Sequence, residues 1–100
     1  MASTVKSLFR GNASTTSATL YTVPSVTTTV VTEIAACNTS ASSQSVTITL
    51  NGVEILDAVP VAADTTLVVP LKQPLAASHI IAGLATATSV RFHIAGVEIT

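Results

Sequence analysis

Apolar and polar residues alternate in short stretches along most of this chain, and turn-forming residues interrupt the alternation at frequent intervals. An alternation with a period of two places successive side chains on opposite faces of a β-strand. Frequent interruption by Gly, Pro, Asn and Asp is typical of antiparallel sandwiches and barrels, not of units in which strands and helices alternate. The pattern therefore predicts a protein built from short β-strands.

The clearest local signal is the segment SVTITLNGVEIL, residues 45–56. Its Asn51-Gly52 pair favours a two-residue type I′ turn, because both central positions of that turn need a positive φ. Such a turn pairs apolar with apolar and polar with polar residues: Leu50 with Val53, Thr49 with Glu54, and Ile48 with Ile55. Pattern and turn chemistry agree, which predicts a β-hairpin here.

The remaining pattern predicts six further strands. They are Thr4–Phe9, Thr19–Val23, Thr27–Cys37, Thr66–Leu71, His79–Ala85 and a last strand over residues 89–100. Pro24, Pro70 and Pro74 lie where strands are expected to stop, because proline cannot donate to a ladder. The segment from Leu75 to Leu84 also fits helical spacing, and a strand is the prediction because its neighbours are strands.

The apolar positions of the last strand change phase at Gly96. Before the glycine they are Val90, Phe92 and Ile94, and after it they are Val97 and Ile99. A bulge of one residue at Gly96 would restore the alternation. Such a bulge predicts that all five apolar side chains face the core.

Composition supports an all-β fold. The chain has 100 residues, of which 48% are hydrophobic, so one domain with one core can form. It contains seventeen Thr, thirteen Val and seven Ile, β-branched residues that pack well on a pleated surface. We expect an antiparallel, jelly-roll-like β-sandwich of about eight strands over residues 18–100, with residues 1–17 forming an N-terminal arm or the first strand.

Charge is scarce. Charged residues make up 9% of the chain and the net charge is −1, against roughly 25% charged residues in typical soluble domains. Such a surface resists self-association poorly. The composition favours a protein that lives inside an assembly, and a threonine-rich monomer is the alternative.

Several classes of partner are disfavoured. The basic residues Lys6, Arg10, Lys72 and Arg91 stand singly and cannot neutralise a track of phosphates, so we expect no nucleic-acid partner. No apolar run approaches the roughly 20 residues of a membrane-spanning helix, and the N-terminus lacks the apolar region of a secretion signal. Cys37 has no second cysteine for a disulfide, which fits synthesis in a reducing compartment, and we interpret it as a small buried side chain.

We expect neither a cofactor, a metal site nor an enzyme. His79 and His93 lie on different predicted strands, and no second thiol accompanies Cys37. The chain has no G-x-S-x-G elbow. Its carboxylates have simpler explanations: Glu33, Glu54 and Glu98 alternate with apolar neighbours as on solvated strand faces, while Asp57 and Asp64 lie at predicted turns.

Arg91 and His93 are the candidate contact residues. They lie two apart on the presumed outer face of the last strand, in a chain with few charges. A solvated strand face explains them most simply. The alternative hypothesis is a contact between subunits, with Glu33 or Glu98 of a neighbouring copy.

Three stretches carry a resemblance to a known family: TLYTVPSVTTTVVTEIAACNTSASSQSVTITLNGVEI, then VPVAADTTLVVPL, and the terminal SVRFHIAGVEIT. They resemble small virion proteins of tailed bacteriophages, in which an LYTVPAGTTAVV-like opening precedes a CNTSA-like strand end, a VTLYLNG-like hairpin and a closing GVEIT-like strand. The resemblance runs from about Thr19 to Thr100 and rests on turns and strands, not on catalytic motifs. This chain has Ser25-Val26 where the family has Ala-Gly.

The resemblance implies a structural protein of the phage particle, made in the host cytoplasm and present in many copies on the capsid surface, neck or tail. Its expected partners are itself, as a homo-oligomer such as a trimer or hexamer, and another virion protein. The segment Ala2–Ser17 would be an arm that reaches a neighbouring subunit. The alternative is a host-adhesion or carbohydrate-binding module, which would depend on Tyr21, Phe9 or Phe92 for stacking and on the loop Asn38–Gln44.

Overall fold

The computed structural model describes residues 2–100, which form eight β-strands and no helix. The strands are β1 (Ser3–Asn12), β2 (Ala18–Thr22), β3 (Thr28–Asn38), β4 (Gln44–Leu50), β5 (Val53–Val61), β6 (Thr66–Leu75), β7 (Ile80–Ala85) and β8 (Val90–Ile99). They form two four-stranded antiparallel sheets. Sheet A has the strand order β1-β8-β3-β6, and sheet B has the order β2-β7-β4-β5.

This strand order is that of an eight-stranded jelly roll. The chain crosses from one sheet to the other at every connection except the β4–β5 hairpin, which stays within sheet B. The predicted fold class, an antiparallel β-sandwich of about eight strands, is confirmed. The molecule is elongated, with extents of 45 × 21 × 18 Å.

The core lies between the two sheets, and alternation along the strands fills it. Sheet A contributes Phe92, Ile34 and Ile94, and sheet B contributes Ile48 and Ile81, all at most 1% exposed. Their polar neighbours along each strand face away from the core. Burial of side chains of this kind stabilises a fold by about 1.5–3 kcal/mol each, so the two facing apolar layers hold the sandwich together.

The predicted hairpin is confirmed. Asn51 and Gly52 both have positive φ, 49° and 83°, and Leu50 pairs with Val53 across the turn. One further pair differs from the prediction, because Ile48 pairs with Leu56 and Ile55 is an extra residue in β5. This bulge keeps Leu56 in the core despite the shift of register.

Most strand ends lie within one or two residues of the predicted ones; β1, β5 and β6 extend three to five residues further, and β6 does so despite its prolines. It continues through Pro70 and Pro74 to Leu75, although both prolines were expected to bound it. β6 is an edge strand of sheet A, so proline can face the open side without removing a ladder bond. The segment with the helical alternative forms strand β7.

The predicted bulge at Gly96 is wrong. β8 is regular at this position, and the extra residues lie on both neighbouring strands: Leu8 in β1 and Thr32 in β3. A Cβ on Gly96 would lie 2.5 Å from the Val30 carbonyl oxygen and 2.8 Å from Leu8 Cδ1. Glycine is needed here because the two bulged strands approach its backbone closely.

This difference changes which side chains face outward. With β8 regular, Gly96 continues the inward series of Phe92 and Ile94, and Glu98 follows on the same face. Val97 and Ile99, expected in the core, lie on the outer face of sheet A. The phase change in the sequence therefore marks apolar residues on the outside of the sandwich.

Cys37 also differs from its interpretation as a buried side chain. After the bulge at Thr32, residues Ile34, Ala36 and Asn38 are fully buried. Cys37 is half-buried, its thiol is free, and its backbone lies opposite that of Arg91 in the ladder. The inward position at this end of β3 belongs to Asn38. Its buried amide is satisfied by hydrogen bonds, as buried polar groups require.

Candidate assembly surface

An apolar row crosses the outer face of sheet A. The register places one residue of each strand side by side: Val5 of β1, Val97 of β8, Val30 of β3 and Pro74 of β6. Val5 is 82% exposed, Val97 and Val30 are half-buried by their neighbours, and Pro74 is exposed. The outer face of sheet A is therefore apolar at this row, whereas antiparallel sheets with one solvated face usually alternate apolar-in and polar-out.

The charged candidates lie beside this row. Glu33 pairs with Ala95, and His93 pairs with Arg10 on one side and Ala35 on the other. Glu33, His93 and Arg10 line one shallow groove of about 330 Å³. Two of the three candidate residues are thus brought together, with an additional cation that the sequence reasoning did not single out.

Arg91 lies two residues further along β8 on the same face, between Asn12 and Cys37. It does not line the groove that contains Glu33 and His93. All three candidates are exposed. The face presents both signs of charge next to the apolar row.

A second groove lies at the other edge of this sheet, with a volume of about 540 Å³. It is lined by Thr32 and by the β6 residues 70–73. Two extra residues in β6, Leu71 and Lys72, open the ladder opposite the Thr32 bulge. The groove is a consequence of mismatched bulges on adjacent strands.

Glu98 is not on the outer face. Its carboxylate accepts hydrogen bonds from the Tyr21 hydroxyl, which reaches across from sheet B, and from Lys6 Nζ at 3.4 Å. The Tyr21 oxygen also lies 2.8 Å from Thr29 Oγ1. The Glu98 side chain is 15% exposed, so the interpretation of Glu98 as a solvated strand residue is wrong, and it does not face a neighbouring copy from this surface.

Burial is the main cause of a change in acidity at this cross-sheet contact. Burial, together with the hydrogen bond to Glu98 and its charge, raises the pKa of the Tyr21 phenol to about 12, and the hydrogen bond with Thr29 opposes this rise. Tyr21 therefore remains a neutral donor at physiological pH. The phenol joins the two sheets and does not stand free as a stacking platform.

The Asn38–Gln44 loop uses much of its polar chemistry internally. The Asn38 amide nitrogen donates to the carbonyl oxygens of Ser42, Val61 and Ala62, at 2.9, 3.0 and 3.3 Å. Its side-chain oxygen accepts from the Ser40 backbone amide and hydroxyl. These bonds fix the loop to the β5–β6 turn.

Sequence reasoning missed the apolar row and Arg10. The signal for the row was present, because Val97 and Ile99 are out of phase with Phe92 and Ile94. The predicted bulge at Gly96 assigned both of these side chains to the core instead. The position of Arg10 could not be predicted from the sequence, because only the register between β1 and β8 places it beside His93.

Other chemistry is limited within the described chain. In residues 2–100, no three His, Cys, Asp or Glu side chains form a group that could hold a metal ion. His79 lies in the β6–β7 loop, where its Nδ1 accepts a hydrogen bond from the Ala76 amide at 3.2 Å. The described residues include no helix long and apolar enough to cross a membrane.

In comparisons with known proteins, no protein-family model and no curated protein matches this chain.

Proposed function

We propose that this chain is a structural protein of a tailed-phage virion that assembles symmetrically through the outer face of sheet A. It docks through the assembled surface on another virion protein of the capsid, neck or tail. The observation that carries the assembly is the apolar row Val5–Val97–Val30–Pro74. The sequence resemblance supplies the phage particle as its setting.

Exposed apolar side chains in this chain are not confined to one position. Val5, Val26, Val53 and Val68 are between 52% and 88% exposed. Scattered exposed apolar residues need no explanation, but a contiguous row on a sheet is typical of an interaction site. The row is shielded from water only when another molecule covers it.

The charges beside the row fit a contact between copies. The outer face carries Arg10, Arg91 and His93 as well as Glu33. Both signs on one face allow a second copy to place its carboxylate against the two arginines, which sets orientation more than affinity. Interfaces of this kind repeat around closed symmetry axes in most homo-oligomers.

No observation favours the carbohydrate-binding alternative. Tyr21 donates its hydroxyl hydrogen to Glu98 inside the sandwich, and Phe92 is fully buried in the core. Phe9 packs against the core as a half-buried side chain. The Asn38–Gln44 loop directs its amide and hydroxyl groups into its own structure.

The first test is the solution mass by light scattering over a dilution series, for wild type and for Val97→Lys. Wild type is expected to be an oligomer of fixed mass. The lysine places a charge in the covered row, at a cost of several kcal/mol when unpaired, so the variant is expected to dissociate. Thr49→Lys is the matched control, because Thr49 lies on the outer face of sheet B.

A wild-type monomer at every concentration, or equal masses for both lysine variants, would contradict assembly through this face.

The location of the protein on the virion is tested separately by immunogold labelling of the phage particles whose genome encodes the chain. Label on the particles at a regular position is expected. Label confined to free protein in the lysate would overturn the virion assignment.

A further inference from the structure

The four edge strands of the sandwich differ in how open they are. Edge strands carry unpaired N–H and C=O groups that can pair with another chain, and proteins usually blunt them with proline, bulges or short length. β6 contains Pro70 and Pro74. β5 contains Pro60, two shifts of register and a positive φ at Ala58. β2 has only five residues, with a bulge at Leu20.

β1 is different from the other three edges. It has ten residues, Ser3–Asn12, without proline, and its one irregularity is the bulge at Leu8. The first half, from Ser3 to Ser7, keeps an unbroken register with β8. This half is the longest regular, proline-free edge stretch in the described chain, since the next one on another edge strand, Thr66–Val69 of β6, is shorter and ends at Pro70.

The hydrogen-bond phase of β1 shows which groups face the open side. Ala2 and Thr100 exchange two backbone hydrogen bonds, at 3.0 and 2.9 Å. Because bonded and non-bonded pairs alternate in an antiparallel ladder, Thr4 and Lys6 also bond to β8. The N–H and C=O groups of Ser3, Val5 and Ser7 therefore point away from the sheet.

We propose that β1 pairs antiparallel with β1 of a second copy, around a two-fold axis at Val5. This inference rests on the proposed function, in that it specifies one contact of the self-assembly. Val5 then pairs with Val5 of the second copy, and Ser3 pairs with Ser7 on both sides of the axis. Each of these pairs exchanges two bonds, which gives about six backbone hydrogen bonds across the contact.

The side chains are compatible with this self-pairing. Val5 meets Val5, and serine meets serine, on the outer face. On the other face Thr4 lies opposite Lys6, whose ammonium is 3.4 Å from Glu98 of its own chain. Arg10 lies beyond the paired stretch, after the Leu8 bulge, so no two cations stand directly opposite each other.

The pairing also extends the apolar row. Sheet A of each copy becomes half of one eight-stranded sheet, and the two Val5 residues join the rows into a single stripe that ends at Pro74 on each side. A stripe of twice the length offers more apolar surface to the next copy or to a docking protein. The two-fold contact is isologous, and combined with a three-fold contact it gives a hexamer.

The test is Val5→Pro, measured as solution mass by light scattering. Proline removes the outward N–H of the central pair, and it removes no bond to β8 because that group faces away from the sheet. Val68→Pro is the matched control. Asn38 N donates to the Thr65 oxygen, so alternation turns Val68 outward on β6, an edge that already contains two prolines.

The expected mass of Val5→Pro is half that of wild type, with Val68→Pro unchanged. Thermal unfolding followed by circular dichroism reports whether each variant remains folded. An oligomer of full mass in folded Val5→Pro overturns the edge pairing and leaves the proposed assembly through the sheet face intact. A wild-type monomer at all concentrations contradicts both.

A crosslink locates the contact without depending on proline. In a Cys37→Ser background, Val5→Cys places two thiols at a bonded pair, where Cα atoms lie about 5.5 Å apart, within the roughly 4.4–6.8 Å that a disulfide spans. Oxidation is expected to give a covalent dimer for Val5→Cys and none for Val68→Cys. Equal yields from both variants would overturn the pairing.

Discussion

The two sheets present rows of opposite chemistry on their outer faces. In sheet A, Val5, Val97, Val30 and Pro74 stand side by side, one from each strand. The matching row of sheet B is Thr19, Ala82, Thr49 and Glu54, again one from each strand. Both sheets contribute apolar side chains to the shared core, and the contrast between the two rows lies on the outside.

A threonine row and a valine row are equally good strand formers, because both side chains are β-branched and nearly the same shape. Folding therefore does not require valine on the outer face of sheet A. The hydroxyl of threonine keeps sheet B wetted, whereas sheet A exposes methyl groups to water. We infer that the row of sheet A serves association, and five expectations compare the two sheets.

The largest expected effect is on the inner faces, at Gly96 of sheet A and Gly83 of sheet B. Gly96→Ala is expected to lower the free energy of unfolding by about 3 kcal/mol, since its Cβ would meet the rigid Val30 carbonyl at 2.5 Å. Gly83→Ala is expected to cost about 1 kcal/mol, because its closest contact is the flexible Ile48 Cδ1 at 2.6 Å. Chemical denaturation measures both, and equal losses would contradict this difference between the sheets.

Moving the valine row to sheet B is the next test. Thr19→Val combined with Thr49→Val gives sheet B an apolar row, and each valine gains about 1.5–3 kcal/mol when it is covered. We expect at least about a tenfold rise in association, measured by light scattering against wild type. Thr19→Ser with Thr49→Ser is the control and is expected to leave the mass unchanged. If the valine variant does not associate further, apolar rows are not sufficient for contact.

A smaller effect is expected where the two sheets meet through polar groups. Tyr21→Phe removes the hydroxyl that donates to Glu98 and approaches Thr29. We expect a loss of about 1–2 kcal/mol in the free energy of unfolding at neutral pH, because the Glu98 carboxylate loses a donor and the Thr29 hydroxyl loses an acceptor. Thr22→Val, exposed on the same strand, is the control. A loss no larger than that of the control would show that the contact does not join the sheets.

The same tyrosine predicts that the stability of the wild-type chain depends on pH. The pKa of Tyr21 is raised from 10.0 to about 12 in the folded chain, so the protonated phenol favours the folded state. This contribution is complete below pH 10 and is lost as the pH rises toward 12. Absorbance of the phenolate follows the titration directly, because the chain has one tyrosine. A midpoint near the ordinary value for tyrosine would contradict the burial of this group.

The smallest effect is expected at the turn that links sheet B to sheet A. Val26 has φ 56° and is 88% exposed, a left-handed conformation that β-branched residues rarely adopt. Val26→Gly is expected to stabilise the fold by about 1 kcal/mol, since glycine relieves the strain and little packing is lost. Ser25→Gly is the control, with no gain expected. Thermal unfolding of the two variants gives the comparison.

Much of the fold was readable from local pattern. The alternation of β4 and the Asn51-Gly52 turn define the hairpin, because turn geometry and side-chain faces are properties of neighbouring residues. The β-branched composition and the frequent turns predict the sandwich. The outward position of Arg91 and His93 on the last strand also followed from alternation, and both side chains are exposed.

The errors in the orientation of residues on β3 and β8 share one cause. A bulge can be placed on either member of a strand pair, and the sequence of β8 alone does not say which strand carries it. The structure places the extra residues at Leu8 and Thr32, on both neighbours. That choice turns Val97 outward and Glu98 inward, so it creates the apolar row and the cross-sheet contact together.

By itself, the sequence determined the strands, the hairpin and the class of fold, since these follow from periodicity, turn residues and β-branched side chains. Only the tertiary structure decided the register between distant strands such as β1 and β8. Register depends on which inner face packs against which, and a shift of one residue reverses every side chain. The valine row, the neighbours of His93 and the open edge of β1 are consequences of that packing.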